Sequence, residues 1–110
     1  MSCQLSVLII EPHDELAAAF EKVIASASYA PIVRRHVDSL DDLDVTPASI
    51  VMRIGHADVS HLPPHRPPIV AIASSDEEIA EASRLRCEAV LHGPAEIKRL
   101  CDVLRSLVHA

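Results

Sequence analysis

Five short apolar runs, each followed by a proline, a glycine or a polar cluster, set the main constraint on how this chain folds. They occupy residues 5–10, 31–36, 49–54, 68–73 and 89–91. The first, Leu5-Ser6-Val7-Leu8-Ile9-Ile10, is almost continuously apolar rather than alternating, which suits a strand covered on both faces. The run at 31–36, Pro31-Ile32-Val33-Arg34-Arg35-His36, is more polar and fits a position near a sheet edge, where proline is tolerated.

Helical patterns fill the intervals. Asp14 is placed to cap a helix in which Leu16, Phe20, Val23, Ile24 and Ala27 recur at helical spacing, with Glu15 in its first turn. After the second run, Asp38 or Ser39 caps a short helix that uses Leu40 and Leu43 as apolar contacts. Ser74 or Ser75 caps a helix opening with Asp76-Glu77-Glu78 and turning Ile79, Ala82 and Leu85 inward. Pro94 suits the first turn of a closing helix. Its buried stripe is Ile97, Leu100, Cys101, Leu104, Leu107 and Val108, while Lys98, Arg99, Asp102 and Arg105 face water. The alternation fails at 55–67, where Pro63, Pro64 and Pro67 leave a loop with at most one helical turn, so the third helix is expected to be shortened or absent.

A length of 110 residues predicts a single domain, 1–110, with one modest core. Phe20 and Tyr29 are its only aromatic residues, so the core must come from Val, Ile, Leu and Ala. A formal charge of −6 with no basic run argues against direct nucleic-acid binding. No apolar stretch approaches bilayer-spanning length, and Met1-Ser2-Cys3-Gln4 lacks a basic signal-peptide start, so the expectation is a cytoplasmic protein with no membrane partner. Cys3, Cys87 and Cys101 are odd in number and form no CxxC pair, which favours reduced thiols. Gly55 and Gly93 are the only glycines, so no glycine-rich nucleotide loop is present, which counts against a Rossmann-type enzyme.

Strands alternating with helices imply a parallel sheet with right-handed crossovers and helices on both faces. The predicted fold is α/β: a flavodoxin-like, doubly wound, five-stranded parallel sheet in the order 2-1-3-4-5. In such a sheet a site forms at the carboxyl ends of the strands, near the switch point between the first and third. The residues just past each run are then the informative ones: Glu11, Pro12, Arg53, Ile54, Ala73, Ser74, His92 and Gly93.

Four segments, taken in order, resemble the receiver domain of bacterial response regulators (CheY-like) over almost the whole chain. VLIIEPHDEL resembles that family's first strand with its acidic pair, and IVMRIG the strand ending in the phosphoacceptor Asp. PIVAIASSDEE resembles the strand ending in Ser or Thr, and CEAVLHGPAEIKRL the final strand, the Lys-Pro step and the last helix. Carried over residue by residue, the resemblance implies a degenerate phosphorylation pocket. Glu11 stands at the first acidic position and Pro12 at the second; the phosphoacceptor position falls on Arg53, or on Ile54 if the register slips by one. The hydroxyl position falls on Ala73, with Ser74 the near substitute, the aromatic switch position on Val90, and the lysine position on Gly93, before a Pro94 that in the family can follow a cis bond. Neither Arg53 nor Ile54 can form an acyl phosphate, and one Glu makes a poor Mg²⁺ site, so neither metal nor cofactor is expected.

Two readings of Arg53 stand side by side: a bidentate pair with Glu11 that fills the old pocket, or a solvated strand-end charge. The function implied is a phosphorylation-independent pseudo-receiver of the two-component type, with no enzymatic activity, acting through a protein partner or a fused effector domain. A homodimer through the fourth helix, last strand and last helix would use Arg84, Arg86, Arg99, Asp102 and Arg105, whose mixed charge suits specific pairing. Two alternatives remain: a receiver-like domain binding a small ligand or anion at the strand ends, and a small metal-binding protein or enzyme. The last would use His56, Asp58, His61 and His65 as ligands, or His13 and His92 as acid and base, although no nucleophile accompanies them.

Overall fold

The computed structural model describes residues 5–56, 65–93 and 98–108. It contains β1 (Ser6–Ile10), α1 (Asp14–Ser26), β2 (Ala30–Arg34), a single 3₁₀ turn (Leu40–Asp42), β3 (Ser49–Arg53), β4 (Ile69–Ala73), α2 (Asp76–Arg84), β5 (Ala89–His92) and α3 (Leu100–Val108). The five strands form one parallel sheet in the order β2-β1-β3-β4-β5. This is the predicted doubly wound arrangement.

The continuous apolar runs are explained by what covers each face. Alternate residues of one strand point to opposite sides of a sheet. Leu8 and Ile10 of β1, with Ile50, Met52, Ile69 and Ala71, pack on the side of α2, where Ala82, Ile79 and Leu85 meet them. Val7 and Ile9, with Val51, Val70, Ile72 and Leu91, pack on the other side against Phe20 and Ile24 of α1 and Leu100 and Leu104 of α3. Every residue of β4 is buried. β2, at the edge, is only partly covered, as its polar sequence predicted.

Local chemistry sets the ends of the elements. Ser75 caps α2: its Oγ accepts the Glu78 N–H at 3.2 Å, while Glu78 Oε1 accepts the N–H of Ser74, one residue before the cap, at 2.7 Å, a variant of the capping box. At the sheet's opposite end the buried Ser49 donates its hydroxyl to the Pro68 carbonyl at 2.9 Å.

Four expectations need correction. Asp14 is the first residue of α1 rather than its cap; His13 holds the cap position with no side-chain cap bond, because the Asp14 carboxylate is taken by Arg35. The short helix after β2 is one 3₁₀ turn, with Ser39 Oγ accepting the Asp41 N–H at 3.1 Å. β2 stops at Arg34 because its partner β1 stops at Ile10, so Arg35 and His36 leave the sheet. β3 likewise ends at Arg53, leaving Ile54 outside the strand but buried. Residues 57–64 of the expected loop, with the third-helix question, lie outside the described residues, as do Pro94 with its peptide bond and Ile97 of the closing helix. Among the described residues, no helix is long and apolar enough to cross a membrane.

The capping box gives a direct check. Ser75→Ala should cost about 1 kcal/mol in urea unfolding, whereas Ser74→Ala, which removes an exposed hydroxyl and leaves its N–H in place, should cost less than about 0.5 kcal/mol.

Candidate functional site

Glu11 follows β1 directly and donates its backbone N–H to the Arg34 carbonyl at 2.9 Å, so its position is set by β2. Its side chain is 1% exposed. A carboxylate buried this deeply must be paired or protonated. Ile10 and Met52 are register partners on β1 and β3, so Arg53 emerges beside Glu11 at the strand ends. Arg53 Nε donates to Glu11 Oε1 at 2.5 Å and Nη2 to Oε2 at 2.7 Å, and the His13 N–H donates to Oε2 at 3.0 Å. Of the two readings of Arg53, the bidentate pair is the one present. Ile54, the neighbouring candidate position, is 2% exposed and packs into the core on the α2 side.

Burial pushes the Glu11 carboxyl up, but the Arg53 hydrogen bonds, the His13 N–H and the charges of Arg53 and His56 outweigh it. The net result lies below the ordinary carboxylate value. Arg53 is held above its own ordinary value by the hydrogen bond to Glu11, against burial, and by the charges of Glu11 and Glu78. The guanidinium is therefore a permanent cation at the switch point of the sheet.

This donor set does not suit Mg²⁺, the ion that the resemblance associates with the position. Both oxygens of the one carboxylate are committed to N–H donors, and a fixed positive charge stands where a hard dication would need oxygen ligands. Nor can a guanidinium form an acyl phosphate, which requires a carboxylate oxygen.

The other anticipated pocket residues divide around this pair. Ala73 ends β4 at 1% exposure and offers no polar side chain. Gly93 adopts a left-handed φ of +70° and donates its N–H to the Ala73 carbonyl at 2.7 Å. Ala73, Ser74, Ser75, Asp76, Ile79, His92 and Gly93 line a cavity of about 260 Å³ at the ends of β4 and β5. Val90 packs, half-buried, on the α2 side of the sheet. The Pro12 carbonyl accepts from Arg35 Nη1 at 3.2 Å, and Arg35 Nη2 grips both Asp14 oxygens at 2.6 and 2.8 Å. The sequence reading missed this clamp on the β1–α1 loop, because nothing local links residues more than twenty positions apart.

Arg84, Arg86, Arg99, Asp102 and Arg105 are all exposed. Arg84 pairs with Glu81, and Arg105 Nη1 lies 3.9 Å from Asp102 Oδ1. Such solvated pairs within a helix contribute little to stability. Of the loop ligands considered for a metal, His56 and His65 are exposed, while Asp58 and His61 lie outside the described residues. No group of three or more His, Cys, Asp or Glu is gathered among the described residues.

The buried pair predicts two measurable behaviours. Arg53→Ala leaves Glu11 buried without its cation and should lower the unfolding free energy by about 2–3 kcal/mol, less than for a fully buried pair because Arg53 keeps some water contact. Replacing both residues, as in Glu11→Leu with Arg53→Met, should recover most of that loss. Because the folded Glu11 value is depressed, its contribution is complete above the ordinary value of 4.5 and is lost as pH falls below it, through the folded value. Glu11→Gln should flatten the acid side of the stability profile over that interval.

No family model matches the sequence, and no curated protein matches it either. The backbone, by contrast, is similar to solved response-regulator structures. A signal receiver domain from Bermanella marisrubri superposes with a TM-score of 0.77 at 16% identity, covering 96% of this chain and 99% of that one. A response regulator receiver protein from Burkholderia phymatum gives 0.76 at 14% identity, covering 96% of each chain. HP1043, an orphan response regulator of H. pylori, gives 0.64 at 16% identity, covering 94% of this chain and 96% of that one. At these identities the likeness establishes the fold: the chain has the flavodoxin-like architecture of CheY-like receiver domains.

Proposed function

We propose that this chain is a stand-alone or modular receiver-type signalling domain, residues 1–110, that does not use aspartyl phosphorylation and acts in the cytoplasm through protein partners. The observation that carries the reading is the Glu11–Arg53 pair, with Nε and Nη2 donating to the two carboxylate oxygens at 2.5 and 2.7 Å. A cation with no nucleophilic oxygen occupies the end of β3, and the neighbouring carboxylate is already satisfied. Ala73 and Gly93 add no hydroxyl and no ammonium. The position therefore has the charge balance of a filled pocket without a phosphoryl group.

The partner surface in this reading runs along α2, the edge strand β5 and α3. Arg86 lies just past the end of α2 with φ +59°, the left-handed position of a Schellman turn in which the Arg86 N–H donates to the Ser83 carbonyl and the Cys87 N–H to the Ala82 carbonyl, both at 3.1 Å; glycine adopts that conformation at no steric cost. Its exposed side chain is one of the charges that this reading assigns to the partner surface. The occupant is a protein of mixed charge, either a second copy or an effector domain.

A second reading, a small ligand bound at the strand ends, is favoured by one observation, the cavity of about 260 Å³ between β4, β5 and α2. Ser74, Ser75 and His92 would bind it through hydrogen bonds, with Ile79 and Ala73 as the apolar floor.

Incubation with acetyl phosphate and Mg²⁺, followed by intact-mass measurement, should give no phosphorylated species. Phosphate on any Asp would overturn the proposal. Sedimentation across a concentration series should show self-association or retention of an effector domain that Arg84→Glu with Arg105→Glu weakens at least roughly ten-fold, the range expected for reversing charges in a specific interface. Arg86→Gly should raise stability by about 1 kcal/mol while weakening the same association. Association unchanged in both variants would remove this face from the proposal.

A further inference from the structure

The turn between α2 and β5, residues 85–88, is held from outside at both of its ends. The Arg86 and Cys87 N–H groups close it back onto α2, but the Leu85 carbonyl lies past the last donor of the helix. Arg66, from the chain just before β4, meets it: Nη2 donates to the Leu85 carbonyl. A guanidinium at this place also faces the negative end of the helix dipole. Its Nε is buried with no hydrogen-bond partner among the described residues, so the group sits partly out of water, where a charge-assisted bond is stronger.

At the other end of the turn the exchange runs in the opposite direction. Ile69, the first residue of β4, is fully buried, and its N–H needs an acceptor. The Glu88 carboxylate provides one, Oε2 accepting at 2.5 Å, while the Glu88 N–H donates to the Ile69 carbonyl at 3.0 Å. The register between β4 and β5 begins one residue later, at Val70 and Ala89. Residues 66–69 and 85–88 are thus joined by three hydrogen bonds, through an arginine of the first segment and a glutamate of the second. Cys87, between the two attachment points, packs half-buried against the cluster on the α2 side. Burial pushes its thiol up to about 11, with the Arg66 charge drawing it down and the Glu88 charge adding to the rise.

We propose that Arg66 and Glu88 are positioning residues for the partner face: they clasp the α2–β5 turn to the entry of β4 from both ends, so that the turn bearing Arg86, with Arg84 just before it, has one arrangement. This rests on the partner-binding reading given above for its consequence. The clasp itself is a property of the isolated chain. Because both ends hold the same four residues, loosening either end is transmitted to the other. A turn fixed before the encounter also spares the partner the cost of ordering it.

Native-state amide hydrogen exchange, resolved by residue with NMR, tests the clasp on the full chain. Arg66→Gln should speed exchange of the Arg86 amide and, across the turn, of the Glu88 amide roughly five-fold more than that of Leu8 and Ile50, which report global opening. Glu88→Ala, at the opposite end, should accelerate the Arg86 and Cys87 amides by a similar factor. Arg66→Lys, which keeps a charged donor, and Glu88→Gln, which keeps an acceptor oxygen, should each restore the turn amides to within about two-fold of the parent. Sedimentation reads the consequence: Arg66→Gln and Glu88→Ala should weaken association roughly five-fold, and the two conservative variants should restore it. Since Glu88→Gln removes the charge, its rescue separates position from charge. Acceleration confined to the altered end, or none beyond that of Leu8 and Ile50, would overturn the proposal. So would association unchanged in Arg66→Gln and Glu88→Ala while Arg84→Glu with Arg105→Glu weakens it. If that arginine reversal also leaves association unchanged, the partner reading fails, and the exchange rates still decide the clasp.

Discussion

A strand covered on both faces has room for polar chemistry only at its ends, and three of the five strands here are of that kind. β1, β3 and β4 send alternate apolar side chains into two separate clusters, one beneath α2 and one beneath α1 and α3. The first position past β1 is still buried, however, and it holds a carboxylate. That single fact organises the upper end of the molecule. A lone buried carboxylate costs several kcal/mol unless it is matched in charge and in hydrogen bonds. Both requirements are met by one residue from the adjacent strand and one backbone N–H from the following loop. Ser49 presents the same demand more mildly at the opposite end, where one carbonyl is enough.

The pair also explains why arginine rather than lysine stands at the end of β3. Two oxygens of a fixed, buried carboxylate are best met by two parallel N–H groups in a planar fork. Here Nε and Nη2 supply them side-on. A lysine would deliver charge to Glu11 through a point-like ammonium on a flexible stem.

Much of the fold could be read in the sequence because it rests on periodicity. The unbroken apolar run of β1, the edge character of Pro31-Ile32-Val33, and Ile79, Ala82 and Leu85 on one face of α2 all follow from which residues need cover. The cap of α2 stayed open between Ser74 and Ser75 because each has a glutamate three residues on; in the structure Ser75 Oγ accepts the Glu78 N–H. The start of α1 was misplaced by one residue for a non-local reason. Asp14 is a better cap than His13 by composition, but Arg35 arrives from across β2 and takes its carboxylate. Glu11 and Arg53, 42 residues apart, become neighbours once the strand order puts β1 beside β3. Whether they pair was decided by the burial of Glu11, a property of the packed loop that no run of residues encodes.

The residues at the strand ends are physically interdependent, so an acyl-phosphate site could not be built among them one residue at a time. An aspartate in place of Arg53 would remove the cation bonded to Glu11 and set a second carboxylate against it, raising the proton affinity of both rather than producing a reactive anion. A lysine in place of Gly93 would find open space around its Cβ, but it would have to hold φ at +70°, where an L side chain is strained and the N–H bond to the Ala73 carbonyl fixes the backbone. A threonine in place of Ala73 would bring a hydroxyl into a strand whose every residue is buried, with no phosphoryl oxygen to accept it. Each change is unfavourable while the others are absent. The arginine-centred arrangement is therefore self-consistent, and its stability comes from the same buried carboxylate that the rest of the upper sheet is built around.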